Sequence, residues 1–393
     1  MPTYRPGKFA KPEILRQIRP DLLVTWLEPA RGYLEKRGLP LPPGLPGPDA
    51  PAPLDCNRLV EILMDPTPDM PAGLVESLYV IEEMADEPGM DSILAAARQS
   101  GWALDLGESP TPADVAVKIW ILDRALAEDL HNCQELKRPR SFRCYGTDAR
   151  PLPAVAKPSP PQLARLEERL NAFYMAWKRG AGARVFFNEG DGCWRFLVRH
   201  GAPCRREPAL DRGLPTTVFY RPQQHDVLMY EPHRGEMRIN CCAERERRVL
   251  LRLFGGCLFG SNDFFPATAR LTLAPLVWQG RRSLVCVDIP GLEQVSLTEV
   301  EFSSHRLPWK RVAHQARDIF ELLERGELQW PQRIEDITRA RFAVRFRGAR
   351  RERSFTIIPS NRVVYSREDD SRLLGKWMVA REFMPAGASV AIN

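Results

Sequence analysis

The run "RARFAVRFRGARRERSFTII", residues 339–358, alternates arginine with apolar side chains and then turns back after a glycine. Successive side chains of a β-strand point to opposite faces, so a strand over residues 341–347 has an arginine face and an apolar face. The arginine face carries Arg341, Arg345 and Arg347. The apolar face carries Phe342, Val344 and Phe346. With "GARR" as the turn, the stretch predicts a β-hairpin whose apolar face lies on a core.

Short β-rich runs of the same kind extend upstream to about residue 183. "ARVFFN" and "CWRFLVRH" flank the turn "EGDG", while "DVLMYEP" and "EMRINCC" flank "HRG". Four further runs are "TTVFYRP", "ARLTLAPLVW", "SLVCVDI" and "QVSLTEVEF". Runs this short, broken by Gly, Asp and Arg, are typical of antiparallel hairpins. We expect helices to interrupt them near residues 243–254, 313–325 and 367–380.

Residues 55–135 show the spacing of helices instead. In "PAGLVESLYVIEEMADE" the apolar residues recur about every 3.6 positions, as on one face of a helix. Asp91 and Thr111 are the predicted N-caps of two further helices, and Gly101 is a predicted helix end. The fold class that follows is α+β, with an N-terminal helical unit followed by a β-rich, mostly antiparallel lobe with interspersed helices.

Two proline-rich segments divide the chain. Residues 40–53 contain seven prolines, and residues 137–161 contain six prolines and six Lys/Arg with a single acid. Such composition disfavours helices and central strands and indicates connectors. The predicted domains are an N-terminal helical arm (1–39), a Pro-rich connector (40–54), an acidic helical domain (55–136), a basic Pro-rich linker (137–161) and a basic α+β domain (162–393) with a sub-boundary near 305–330.

Charge follows the same division. Residues 55–135 hold 17 acidic and four basic residues, whereas residues 161–393 hold 38 basic and 27 acidic ones. An asymmetry of this size concerns partners and association rates rather than the fold. We expect the acidic helical domain, residues 55–135, to bind a protein partner, or the basic lobe of its own chain. The basic lobe is expected to attract polyanions.

Composition also limits the class of protein. The chain has 393 residues, 44% of them hydrophobic, which is enough for two or three domains with real cores. Apolar runs are too short to span a membrane, and the N-terminus lacks the apolar segment of a secretion signal. The nine cysteines form no C-x-x-C pair, which favours reduced thiols over disulfides or structural zinc. We therefore expect a cytoplasmic, bacterial protein without a membrane partner.

Arg199-His200-Gly201 ends one of the predicted strands. The tripeptide resembles the motif of the histidine phosphatases, and the resemblance implies that His200 is a nucleophile that becomes phosphorylated. It also implies a three-layer α/β domain, in which the motif follows the first strand. Here the preceding run is one arm of a predicted hairpin, so the alternative is a polar histidine at a strand end.

Asp226 and Glu236 are candidate carboxylates of a metal-dependent nuclease or phosphoesterase, with Arg238 beside them. Such enzymes need carboxylates that converge on a cation. The alternative is that the same residues form an ion pair on the surface. The sequence contains no G-x-x-x-x-G-K-[ST] phosphate loop, no G-x-G-x-x-G after a strand and no G-x-S-x-G elbow. We expect no cofactor and no metal site, and we assign no catalytic residue; His200, Asp226 and Glu236 are the candidates if the protein is an enzyme.

The arginine-rich hairpin is the most informative feature. A guanidinium group offers paired donors that suit a phosphate, so a row of them predicts sequence-independent, salt-sensitive binding of nucleic acid. The predicted nucleic-acid-binding residues are Arg341, Arg345, Arg347, Arg350, Arg351 and Arg353. Two alternatives remain open: docking of the row onto the acidic domain or another protein, and a solvated sheet face that protects an edge.

The functional hypothesis is a non-catalytic, nucleic-acid-associated adaptor or accessory subunit of a bacterial multi-protein system. It binds phosphates through the basic hairpin and a protein through the acidic helical domain. Membership of a phage-defence system is a hypothesis of context that no residue supports. The alternatives are a metal-dependent nuclease or phosphoesterase, and a regulatory module that binds only protein.

Overall fold

The structure is a computed structural model that describes residues 7–42, 54–102, 104–107, 109–149, 151–152, 156–190, 192–211, 213–266, 270–303, 310–359 and 361–385. The chain divides into two compact units, Met1–Gln134 and Glu135–Asn393. Most of the predicted connector at 40–54 lies outside the described residues, as does part of the predicted sub-boundary near 305–330.

The first unit is helical, as its apolar spacing predicts. Its helices are α1 Pro12–Leu15, α2 Pro20–Leu27, α3 Arg31–Lys36, α4 Cys56–Met64, α5 Ala72–Met84, α6 Glu87–Gln99, α7 Pro112–Leu122 and α8 Arg124–Glu135, which reaches the unit boundary. Phe9 and Trp26 lie in the same hydrophobic core as Leu59 and Ile81. Residues 7–39 therefore pack with the acidic helices and share their core, rather than standing apart as an arm.

Local capping explains where these helices begin. Thr111 caps α7 in a full capping box, in which its hydroxyl accepts from the Asp114 amide and the Asp114 carboxylate accepts from the Thr111 amide. The predicted cap at Asp91 is wrong, because α6 already begins at Glu87. Asp86 caps it by accepting a hydrogen bond from the Gly89 amide at 2.8 Å. Pro88 in the first turn favours this earlier start.

The second unit is built on an antiparallel sheet that has ten strands among the described residues. Its strands are β1 Ser141–Gly146, β2 Arg184–Gly190, β3 Cys193–Gly201, β6 Gln223–Glu231, β7 Glu236–Asn240, β8 Leu292–Ser303, β9 Arg311–Gln315, β10 Ile337–Phe346, β11 Arg353–Ile358 and β12 Arg362–Tyr365. The order is β2-β3-β6-β7-β1-β12-β11-β10-β8-β9. β4 Arg205–Asp211 and β5 Leu214–Tyr220 pair as a separate two-stranded ribbon. The predicted α+β class, with helices first and an antiparallel lobe after them, is confirmed.

Helices cover the two faces of this sheet unequally. The remaining helices are α9 Pro160–Ala176, α10 Glu244–Leu258, α11 Ala274–Trp278, α12 Ile319–Glu324 and α13 Ser371–Ala380. On one face the rings of Phe342 and Phe355 stack with centroids 4.8 Å apart, and Trp377 of α13 packs on both. On the other face α9 and α10 bury the side of β2, β3, β6, β7 and β1. The same face of β10 and β11 is left half-exposed, and Arg341 lies on it in contact with solvent.

Three segments fold differently from their predicted states. Residues 137–161 are predicted to be a linker, yet β1 lies inside this range and pairs with β7 and β12 in the middle of the sheet. Its Phe142 and Cys144 alternate with polar residues and are fully buried, a pattern that the surrounding prolines mask. The described residues of two predicted strands, 270–278 and 283–289, do not form strands. Pro275 lacks the amide that a ladder needs and instead starts α11.

Two predicted helices also begin later in the structure than in the prediction. The helix expected over 313–325 is confined to Ile319–Glu324, because the residues before it extend β9. The final helix begins at Ser371 and not after Ser366, whose hydroxyl instead contacts Ser354 of the neighbouring strand. Within the described residues, no helix is both long enough and apolar enough to cross a bilayer.

Candidate functional site

His200 and Asp226 come together in the folded chain. His200 lies near the end of β3, and Asp226 lies on β6 opposite Val198, so both side chains project from the same face of the sheet. The ring Nε2 of His200 lies 3.1 Å from Asp226 Oδ2. Their side chains are 1% and 4% exposed, which places the pair under the layer formed by α9 and α10.

Residues from α9, α10 and the segment after α9 complete this cluster. Glu246 of α10 places Oε1 3.6 Å from His200 Nε2, and the same oxygen accepts a hydrogen bond from Arg179 at 2.7 Å. Tyr174 of α9 stacks on the His200 ring with centroids 4.3 Å apart and planes 6° from parallel. We call His200, Asp226, Glu246 and Arg179 the imidazole cluster. Glu246 and Arg179 were not among the predicted site residues.

The hydrogen bonds of the imidazole cluster fix the charge of its histidine. Nδ1 of His200 lies 3.1 Å from the carbonyl oxygen of Gly201, which can only accept. Nε2 faces the carboxylate of Asp226, so both ring nitrogens donate and the ring is an imidazolium. Burial lowers the pKa of His200, but its hydrogen bond to Asp226 and the nearby negative charges outweigh burial and hold the pKa above its ordinary value.

The chemistry available to the imidazole cluster is limited by its packing. His200, Asp226 and Glu246 offer three ligand atoms within 4.8 Å of one another, a set that suits a divalent cation. Arg179, however, already supplies a cation to Glu246, and the ring of Tyr174 covers His200. A nucleophile must reach its substrate, whereas these side chains are almost fully enclosed. The arrangement is that of a buried ion-pair network that ties β3 and β6 to α10.

Glu236 does not join Asp226. The register of the β6–β7 hairpin pairs Glu236 with Glu231, five residues along β6 from Asp226, so the two carboxylates stand about 16 Å apart along the strands. Glu236 instead forms an ion pair with Arg234 at 3.0 Å. Burial raises the pKa of Glu236, and the charge of Arg234 opposes that rise. The alternative in which these two acids share one metal ion does not fit this register.

The arginine hairpin has the alternation that its sequence predicts. On β10, Arg341 and Arg345 are exposed, whereas Phe342, Val344 and Phe346 are buried. Gly348 adopts φ +75° in the turn that follows, a backbone conformation that favours glycine. The return strand β11 pairs with β10 from Val344 to Ala340. The two strands therefore anchor an arginine-bearing face on the core behind them.

Carboxylates already neutralise part of this face. Arg345 forms an ion pair with Glu352 at 2.8 Å, and both side chains are half-exposed. Arg353 is held by Asp370, at the start of α13. These two of the six predicted arginines therefore carry less free positive charge than the sequence suggests.

The other four predicted arginines are not neutralised by any described carboxylate. Arg341, Arg347, Arg350 and Arg351 are exposed and form no ion pair with any described residue. The side chain of Arg341 donates to the hydroxyl of Ser354 at 3.1 Å. Three of the four lie in the turn, so the uncompensated charge is concentrated at the tip of the hairpin. We call these four residues the open arginines.

No protein-family model matches the sequence, and no curated protein matches it at a significant level. A function has to be inferred from the geometry of the sites alone.

Proposed function

We propose that the chain is a non-catalytic protein that binds the phosphate backbone of nucleic acid with the hairpin β10–β11. The observation that carries the proposal is the set of open arginines, four exposed guanidinium groups without a carboxylate partner among the described residues. Buried Phe342 and Phe346 anchor the strand that carries Arg341 and leads into the turn with the other three. An anchored hairpin loses little conformational freedom on binding, which favours association with a polyanion.

Interactions with the backbone position a protein on a nucleic acid without reading its sequence. Each phosphate that is neutralised releases condensed counterions, so affinity falls steeply with salt. Arginine suits this role because its planar fork donates two hydrogen bonds to one phosphate. We expect similar affinity for sequences of different composition and a marked decrease in affinity between low and physiological salt.

The test reverses the charge at the tip of the hairpin. The triple variant Arg347→Glu, Arg350→Glu and Arg351→Glu removes three open arginines from exposed positions, where folding is little affected. Binding of a labelled duplex and of a labelled single strand is measured by fluorescence anisotropy over a range of salt concentrations. The slope of log K against log salt is negative, and we expect its magnitude to decrease by about three, about one for each phosphate that is no longer neutralised.

A control variant changes the net charge by the same amount elsewhere. Arg248, Arg325 and Arg333 are exposed, and each already lies beside a carboxylate. Replacing all three by Glu should leave most of the salt slope intact. An equal decrease in both triple variants would mean that net charge alone drives binding. An absence of salt-dependent binding in the wild-type chain would refute the proposal.

The second part of the proposal concerns the acidic helical domain, residues 55–135. Exposed acids gather at the start of α6, where Glu87 and Asp91 face solvent. We propose that this domain binds a basic protein segment. A labelled poly-lysine peptide should bind the full chain, and Glu87→Gln with Asp91→Asn should weaken that binding. If the neutralised variant binds the peptide as tightly as the wild type does, this surface is not the docking site.

A further inference from the structure

A second concentration of cations lines a cavity of about 480 Å³. The cavity lies where the start of β3, the β6–β7 hairpin and the first half of α13 meet. Its described lining includes five cations and three acids, and the cations are Arg195, Arg234, Arg238, Arg372 and Lys376. The volume falls in the range of sites for small ligands of nucleotide size.

Arg238 supplies charge at the buried floor of this cavity. It is 4% exposed and donates through Nη2 to Glu231 at 2.8 Å. Its Nε and Nη1 have no hydrogen-bond partner among the described residues. Glu231 also faces Arg234 at 3.5 Å, so one carboxylate is shared between two guanidinium groups. Arg238 therefore places a buried positive charge at the floor of the cavity, only partly balanced by a shared carboxylate, and this charge favours an anion in the cavity.

Two further cations stand at the mouth of the cavity. Arg372 and Lys376 are exposed and lie four residues apart on α13, which places them on the same face of the helix. Side chains of like charge at this spacing repel one another, and an anion between them would relieve the repulsion. Ser371, the first residue of α13, also lines the cavity, so the positive end of the helix dipole faces it.

The acids of the lining are partly engaged already. Glu368 is buried and accepts a hydrogen bond from the Ser371 hydroxyl at 3.1 Å. Glu236, just outside the lining, is held by Arg234. Asp369 is exposed at the rim. Arg372 and Lys376 at the mouth are the exposed cations of the lining that an entering ligand meets first.

We propose that this cavity binds a phosphate monoester dianion. Arginine forks and a lysine point charge match the oxygens of a phosphate, and the cations of the lining outnumber its acids by five to three. The phosphate belongs either to a nucleotide-sized ligand or to the terminal phosphate of a nucleic-acid strand. The site is separate from the open arginines and does not depend on the function proposed for them.

The test compares ligands that differ only in the phosphate. Isothermal titration calorimetry on the full chain uses AMP, adenosine, and a short oligonucleotide with or without a 5′-phosphate. We expect AMP to bind at a single site and adenosine not to bind. If the 5′-phosphate makes the oligonucleotide bind more tightly than the same oligonucleotide without it, a strand end is the source of the phosphate. If the 5′-phosphate makes no difference while AMP binds, the ligand is a free nucleotide.

Variants at the mouth separate binding from folding. Arg372→Ala with Lys376→Ala removes two exposed cations and should raise the Kd for AMP by about tenfold or more, because two charge-assisted hydrogen bonds to the phosphate can no longer form. The matched control, Arg325→Ala with Arg333→Ala, removes two exposed cations elsewhere and should leave the Kd unchanged. The hairpin triple variant should also bind AMP normally. Equal binding of AMP and adenosine, or an equal rise in Kd for the control, would overturn the proposal.

Discussion

Two groups of buried charges lie on opposite faces of the same sheet, and they differ in how fully they are paired. The imidazole cluster lies under α9 and α10, where His200 finds an acceptor for each ring nitrogen. The group around Arg238 lies on the other face, next to a cavity, and two nitrogens of that guanidinium have no partner among the described residues. Similar residue types therefore serve two different purposes.

The difference separates structural charges from binding charges. A buried ion pair whose hydrogen bonds are complete holds elements together and offers nothing to a ligand. A buried cation that lacks acceptors and borders a cavity carries a desolvation cost that a ligand can offset. Completeness of hydrogen bonding, rather than burial or residue type, is what distinguishes the two sites.

The largest expected effect comes from breaking the imidazole cluster. Asp226→Ala leaves the His200 imidazolium buried without its nearest counter-charge. We expect the free energy of unfolding to fall by about 3–5 kcal/mol, the usual cost of removing one partner of a buried pair. Urea unfolding followed by circular dichroism measures the change.

A surface carboxylate provides the control for this variant. Glu324 pairs with Arg281 at 3.0 Å, but its side chain is 61% exposed. Glu324→Ala should cost no more than about 1 kcal/mol. If Asp226→Ala were no more costly than this, the imidazole cluster would not be a structural element.

The pH dependence of stability should report the charge of His200. Its pKa is raised in the folded chain, despite burial, by Asp226 and the other charges of the cluster. The folded state therefore holds the proton more tightly than the unfolded state, whose pKa is about 6.5. The stabilisation is complete below that value and is lost as the pH rises through the folded pKa, with a slope of at most about 1.4 kcal/mol per pH unit.

His200→Gln isolates this contribution, because glutamine can still donate to Asp226 but does not titrate. Unfolding curves recorded between pH 6 and 9 should show a smaller decline for the variant than for the wild type. Glu246 remains in both proteins, but the charge of His200 lowers its pKa, so the difference between the two profiles reports the coupled titration of His200 and Glu246. Parallel profiles for the two proteins would mean that His200 is not the group that titrates.

A substitution at the floor of the cavity should affect ligand binding rather than stability. Arg238→Met replaces a guanidinium with unpartnered nitrogens by an apolar side chain of similar length. Removing buried donors that lack acceptors stabilises the folded state, and this gain offsets the loss of the ion pair with Glu231. We expect the free energy of unfolding to change by no more than about 1 kcal/mol, while AMP no longer binds. A decrease as large as that of Asp226→Ala would place Arg238 among the structural charges instead.

The sequence predicts the β10–β11 hairpin well because strand alternation is a local property. Arg341 and Phe342 alternate in burial as their spacing requires. The charge state of the hairpin is not local. Asp370, which neutralises Arg353, lies 17 residues further along the chain, and its position beside that arginine depends on how α13 meets the sheet.

The imidazole cluster is only half predictable for the same reason. His200 and Asp226 are recognisable as polar residues within apolar strands, and they meet because β3 pairs with β6 while the intervening β4 and β5 form a separate ribbon. Glu246 lies on α10 and Arg179 follows α9, and no local pattern specifies how these helices cross the sheet. The one sequence signal for Glu246 is its position on a helix face that is otherwise apolar, beside Leu250. Glu236 lies away from Asp226 because the register, not the residue type, decides which carboxylates meet.

The smallest expected effect tests how closely α13 approaches the cavity. Gly375 is buried within this helix, and a Cβ added there would lie 3.0 Å from Nη1 of Arg234. Alanine is favoured over glycine in a helix by about 1 kcal/mol, but the guanidinium must shift to make room. For Gly375→Ala we expect the two effects to cancel within about 0.5 kcal/mol in urea unfolding. AMP binding should weaken a few-fold, because Arg234 lines the site. A full gain of helix stability with unchanged AMP affinity would show that Arg234 moves aside freely and does not position the phosphate.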